Sequence, residues 1–271
     1  MELRKQMTNK EKRQYYKERS FERLGETRIN NMGSVMTIID YKNYNNVTVE
    51  FENGYITKTI YGNFVRGSVK NPYDKTTYGV GYIGEGKYKA TVKGKATKEY
   101  AVWSSMFERC YSLKYQQREP TYKGCKICDK WMNFQEFGKW FSENYYEIIG
   151  QKMHIDKDIL IKGNKTYSPL TCVFVPQDIN KLFTKADSIR NNLPIGVYLW
   201  QFKNRKTCYT AQCRDGKIQK RLGYFNTSHK AFLAYKKYKE ELIKETANKY
   251  RGRIPEKLYN AMMNYEVSEE D

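Results

Sequence analysis

The chain has 271 residues and a formal net charge of +19, with 25 tyrosines and 15% aromatic residues. That length accommodates two or three small domains, and that balance suits a polyanion with stackable bases better than a small metabolite. No apolar run reaches the length of a membrane span and the charged start MELRKQMTNKEKRQ is unlike a signal peptide, so Cys110, Cys125, Cys128, Cys172, Cys208 and Cys213 are expected as reduced thiols in a cytoplasm.

Residues 3 to 24 are dense in Lys, Arg and Glu, and Tyr15, Tyr16, Phe21 and Leu24 give them only a partial apolar face. They read as a basic helical arm, 1–30, that either follows a phosphate backbone or caps the next domain. From Gly33 the period becomes two. Val47, Val49 and Phe51 alternate with polar residues, and Asn53-Gly54 is a hairpin turn. Strands near 34–41, 46–52, 55–61 and 64–69 would form a small antiparallel β module, 31–78. The glycine-scattered stretch 79–97 reads as a joint with a short strand at 87–92.

A helix over 98–112 sets Trp103, Met106, Phe107, Cys110 and Tyr111 on one face. Cys125-x-x-Cys128 has zinc-knuckle spacing, and Cys110 and Cys172 would complete a four-cysteine structural Zn²⁺ site. The alternative is that all four are core thiols. A second aromatic-faced helix follows over 133–146, carrying Phe134, Phe137, Trp140 and Phe141. Next come Asp156 and Asp158, a Gly163-Asn164 turn, an apolar strand at 172–175, and a helix that starts at Pro176 and runs to Arg190, ended by Asn191-Asn192 and Pro194. This is a ββα layout. Asp156, Asp158 and Asn164 are oxygen donors for a hard cation such as Mg²⁺ or Mn²⁺, which beside a phosphodiester equips metal-assisted hydrolysis.

The C-terminal part reads as three strands and a helix. A strand begins at 195–198, Cys208 to Arg214 alternates, Asp215-Gly216 turns, and 219–225 is the third strand. Asn226-Thr227-Ser228 caps a helix with the stripe Ala231, Tyr235, Tyr238 and Leu242. Alternation points Tyr209, Ala211 and Cys213 at that helix. It turns Thr210, Gln212 and Arg214 outward, with Gln219 and Arg221 on the neighbouring strand. Arg and Gln pair bidentately with guanine and adenine edges, so the expected DNA-facing set is Trp200, Arg205, Thr210, Gln212, Arg214, Lys217, Gln219 and Arg221. The tail, 251–271, reads as a short helix over 255–265 and a disordered acidic end, Glu269-Glu270-Asp271.

Two ordered sets of residues resemble known families. Trp103, Met106, Arg109-Cys110-Tyr111, Cys128, Trp131, Asn133-Phe134, Phe137, Asp156-Lys157-Asp158, Gly163, Tyr167, Pro169, Thr171-Cys172 and Asn180 resemble a phage and bacterial branch of the HNH endonucleases, over 98–190. Lys157 stands where that pattern has its general-base histidine, and Thr171 where it has an asparagine; His154 lies just before the box. Gly196-Val197, Tyr209, Ala211, Cys213, Leu222-Gly223, Phe225, Thr227, Ala231, Ala234 and Tyr235 resemble the APETALA-type (ethylene-response-factor) DNA-binding domain, over 191–250. That family lays its sheet in the major groove of double-stranded DNA.

The fold expected is α+β: a small N-terminal antiparallel β module, a central ββα HNH-like domain with flanking helices, and a C-terminal three-stranded sheet plus helix. The resemblance implies a phage or mobile-element nickase or homing-type endonuclease. Asp156 and Asp158, with Asn164 or Asn180, would hold the metal, and His154 or Lys157 would activate water. The alternative is a DNA-binding protein on an inactive nuclease scaffold, acting as a regulator or as an inhibitor of a host nucleic-acid enzyme.

Overall fold

The computed structural model describes residues 8–184, 193–201, 207–216, 218–269 and 271. The chain divides into two units, Met1–Gln117 with Asp129–Gly138, and Arg118–Cys128 with Lys139–Asp271. Both helices and antiparallel sheets are present, as the α+β class requires.

In the first unit, α1 (Asn9–Arg23) leads into an antiparallel sheet of β1 (Thr27–Ile29), β2 (Val35–Asn43), β3 (Asn46–Phe51) and β4 (Ile56–Thr59), in that order. Strand alternation buries one face: Val47, Val49 and Phe51 meet Met36 and Ile38 across the β2–β3 ladder and form the core. The strand expected at 64–69 is not formed; a helical turn, α2 (Tyr61–Val65), takes its start, and its Phe64 fills that core. One short ring-bearing turn covers the sheet where a further strand would only have extended it. The basic N-terminal segment is not a detached arm. α1 lies against β2, the Arg23 guanidinium stacks 4.1 Å over the Tyr61 ring, and it pairs with Glu26 at 2.9 Å.

The stretch read as a joint forms a small hairpin, β5 (Thr91–Val92) and β6 (Lys95–Ala96), in place of one strand at 87–92. It leads into α3 (Lys98–Tyr111). The Thr97 hydroxyl caps α3 by accepting the Tyr100 N–H at 3.3 Å, and Trp103, Met106, Phe107 and Cys110 are buried. Trp103 Nε1 donates to the Trp131 carbonyl at 2.7 Å. α4 (Leu113–Arg118) follows.

The second unit holds β7 (Lys126–Ile127), the C-terminal half of α5 (Phe134–Asn144), β8 (Met153–Asp156), β9 (Thr166–Tyr167), β10 (Val173–Pro176) and α6 (Gln177–Leu182). β8 pairs antiparallel with β10, which runs straight into α6, and β9 in the intervening loop pairs parallel with β7. Then come β11 (Val197–Trp200), β12 (Cys208–Asp215) and β13 (Ile218–Phe225) as an antiparallel sheet, α7 (Ser228–Lys249) and α8 (Glu256–Met263). The Thr227 hydroxyl caps α7, accepting the Lys230 N–H at 3.2 Å.

The domain boundary expected at 190/191 is not a boundary in packing. Val173, Val175, Ile179 and Leu182 of the ββα element share one core with Val197, Ala211, Cys213, Ala231, Tyr235 and Ile243 of the sheet and α7. The tail also departs from expectation. Asp271 is buried, and Lys162 Nζ reaches its carboxylate at 2.7 Å as well as the Glu266 carbonyl at 2.9 Å. A buried carboxylate keeps its charge only with such a partner. The helix expected to run to Arg190 ends instead at Leu182, with Phe183 as its C-cap; residues 185–192, with Arg205, Lys217 and Glu270, lie outside the described residues. Among the described residues no helix is long and apolar enough to cross a membrane.

Candidate nucleic-acid interface and acidic box

The C-terminal sheet presents two different faces. Tyr209, Ala211 and Cys213 of β12 pack toward the core with Ala231 and Tyr235 of α7, as alternation predicts. Cys208, Thr210, Gln212 and Arg214 take the other face. The ladders bring Trp200 and Tyr198 of β11, and Tyr224, Arg221 and Gln219 of β13, alongside them.

A register shift decides what gathers there. Ala211 pairs with Gly223 but Gln212 pairs with Arg221, so Leu222 is the extra residue of a β-bulge. The bulge reverses the alternation along β13. Arg221 and Tyr224, three apart, therefore share a face. Arg221 Nη1 donates to the Tyr224 hydroxyl at 2.8 Å, and its guanidinium lies 4.5 Å from the Trp200 ring centroid and 5.5 Å from that of Tyr224. Each cation–π contact at an exposed site is worth about 0.5–1 kcal/mol. Beside this group Gln219 Nε2 donates to Gln212 Oε1 at 3.3 Å, and Arg214, opposite Gln219, is exposed.

Of the expected DNA-facing residues the structure thus brings together Trp200, Gln212, Arg214, Gln219 and Arg221. It corrects Thr210. That side chain is fully buried between Tyr198 and Tyr224 in the ladder, and its hydroxyl is spent on the Gly223 carbonyl at 3.0 Å. Strict alternation missed Tyr224, because nothing in the sequence except Gly223 signals the bulge.

The acidic box is held by local hydrogen bonds. Asp156 ends β8 and its Oδ1 accepts two backbone N–H groups, from Asp158 at 2.9 Å and Ile159 at 2.7 Å. Burial, and then the neighbouring Asp158 carboxylate, push the Asp156 carboxyl up to about 6. Lys157 is buried. Its ammonium pairs with Asp158 at 3.1 Å and lies 6.0 Å from the centroids of both Tyr122 and Tyr167. Burial by itself would lower its pKa, but the Asp158 charge and hydrogen bond outweigh that, and the amine is held above its ordinary value. It is a fixed cation at neutral pH, without the lone pair a general base needs.

Asn164 donates to the carbonyls of Lys157 at 2.6 Å and Thr166 at 2.7 Å, and its Oδ1 accepts the Thr166 N–H at 3.2 Å. Thr171 closes the same loop on the Thr166 carbonyl at 2.8 Å. His154 is two residues before Asp156 on β8, opposite Val175 of the buried β10 strand. Asn180 lies on α6, half-buried. Of the oxygens expected to hold Mg²⁺ or Mn²⁺, Asp156 Oδ1 is engaged by backbone N–H groups, Asp158 Oδ2 by the Lys157 ammonium and Asn164 Oδ1 by the Thr166 N–H.

The cysteines divide between the units. Cys110 lies on α3 in the first, while Cys125, Cys128 and Cys172 lie in the second. Burial raises the Cys125 thiol and pushes that of Cys172 up to about 12. Among the described residues no three or more of His, Cys, Asp and Glu form a metal-ligand group. No known protein family, no curated protein and no solved structure matches this chain.

Proposed function

We propose that this chain is a double-stranded-DNA-binding protein of phage or mobile-element origin, and that it reads base edges with the outer face of the β11–β13 sheet. The ββα box acts as its scaffold. One observation carries the reading: Arg221 is held between Trp200 and Tyr224, with Gln212, Gln219 and Arg214 on the same face. Guanidinium and amide groups are the donors that recognise guanine and adenine. A guanidinium already ordered by two rings loses less freedom on docking than a free one. The net charge of +19 supplies the sequence-independent attraction to phosphate. Free thiols suit a cytoplasm, where such DNA is met. Bound at its site, the protein would regulate transcription or block a host nucleic-acid enzyme.

The test is selection of bound duplexes from a random-sequence pool by the wild type, Arg214→Ala and Arg221→Ala. Each variant should relax preference at its own base position, by about 1–3 kcal/mol, with the fold intact. Unchanged preference in both would remove the sheet as the reader. The endonuclease alternative is examined in the same preparation by nicking of supercoiled plasmid with Mg²⁺ or Mn²⁺. Nicking that disappears in Asp158→Ala would make the box an active centre.

A further inference from the structure

The first unit carries a charged element that the sheet reading leaves unused. Between Lys87 and Lys98 the sequence KYKATVKGKATK holds five lysines and no acidic residue in twelve positions. The structure makes it the β5–β6 hairpin. Lys93 and Gly94 form its two-residue turn with φ of 49° and 75°, the doubly positive geometry that matches strand twist. Residues 91–96 are all exposed, and so are Lys87 and Lys89. No apolar face pins the hairpin down; Val92, its one large aliphatic side chain, is 51% exposed.

What holds it is its base. The Thr97 N–H bonds to the Ala90 carbonyl at 3.0 Å and the Thr97 hydroxyl to the Lys89 carbonyl at 2.8 Å. Gln135 clamps Tyr88 on both sides, accepting its N–H at 3.0 Å and donating to its carbonyl at 2.9 Å. Tyr88 also packs so closely on Gly138 that a Cβ there would meet its ring at 2.6 Å. The hairpin is thus a rigidly anchored projection whose solvent-facing content is positive charge.

Crowded like charges on an ordered projection repel one another. That repulsion is relieved when a polyanion is brought alongside. A two-stranded ribbon is also narrow enough to enter the major groove of a duplex. We infer that the β5–β6 hairpin is a second, sequence-independent contact to duplex DNA, with Lys89, Lys93 and Lys95 on phosphates. This rests on the nucleic-acid reading above and adds a contact outside the sheet.

The experiment compares the full-length chain with the triple variant Lys89→Gln, Lys93→Asn, Lys95→Gln. Asn-Gly is a favoured pair for this turn, so the hairpin is retained, and equal thermal midpoints by circular dichroism verify the fold. Affinity for a short labelled duplex is measured by anisotropy across a salt series. The triple variant should lower the slope of log K against log salt by about 2 to 3, and weaken binding at moderate salt by about a hundredfold. Its preference in the random-pool selection should be unchanged. A slope and affinity equal to wild type would overturn the hairpin contact and leave the sheet reading standing. Loss of binding to phosphatidylserine vesicles with duplex binding intact would overturn it in favour of a membrane surface. A wild-type chain that binds no duplex even at low salt would defeat both readings.

Discussion

Arg221 and Tyr224 meet because of one extra residue, and that is the kind of detail on which a binding face depends. With Leu222 bulged, a guanidinium, an indole and a phenol converge. Without it, Tyr224 would turn to the core side of the sheet. The acidic box makes the opposite point. Two acidic residues flanking a lysine look like cation ligands in sequence, yet Asp156 serves the backbone N–H groups of Asp158 and Ile159. Its role has a signature in pH. The folded carboxyl titrates near 6 and the free one at 3.8, so the fold favours the protonated form. The stabilisation this gives is complete below about pH 4 and is lost as pH rises through about 6, on the order of 3 kcal/mol. Asp156→Asn keeps an acceptor oxygen and removes the charge. Urea midpoints taken at about pH 4 and about pH 7 should therefore differ less for Asp156→Asn than for wild type. An identical difference in both proteins would show that Asp156 does not control this window. Asp156→Ala should be less stable at every pH, because two N–H groups lose their acceptor at about 1–3 kcal/mol each.

At the level of elements, the most legible segments were those whose turn chemistry and periodicity agree. Asp215-Gly216 between two alternating runs marked the β12–β13 hairpin, and Asn226-Thr227-Ser228 marked the start of α7 at Ser228. The ββα order was legible from Asp156, the Cys172–Val175 run and Pro176. Elsewhere local signals conflicted. A strand is expected over 64–69, but tertiary packing selects a helical turn that places Phe64 in the core under the sheet. The strand β1 is exposed at all three residues and left no apolar pattern to read. The glycine at 196 has a physical reason. Its φ is +74° and a Cβ there would lie 2.1 Å from the Tyr235 ring. Gly196→Ala must therefore push α7 off the sheet or distort β11. Its expected cost is about 3 kcal/mol or more, combining backbone strain with overpacking. A melting temperature within a degree or so of wild type would show that the β11–α7 contact yields freely.

At the scale of the whole molecule, the division by motif and the division by core do not coincide. The ββα element and the sheet with α7 resemble two separable modules in sequence, and they are one hydrophobic body in the fold. A piece comprising residues 193–271 would lose Val173, Val175, Ile179 and Leu182 from the core to which Val197, Ile243 and Leu258 belong. Expressed alone it should show no cooperative thermal transition. A sharp melt from 193–271 would restore the two-module picture. The same burial pattern has a practical side. Of the chain's four indoles, Trp103, Trp131 and Trp140 are enclosed at 0%, 0% and 7% exposure, and only Trp200 is half-buried, on the sheet face beneath Arg221. A soluble collisional quencher such as iodide or acrylamide therefore has one indole within easy reach. The molecule carries its own label-free optical gauge of whatever covers that face, and the emission of a single residue can be followed without attaching a dye.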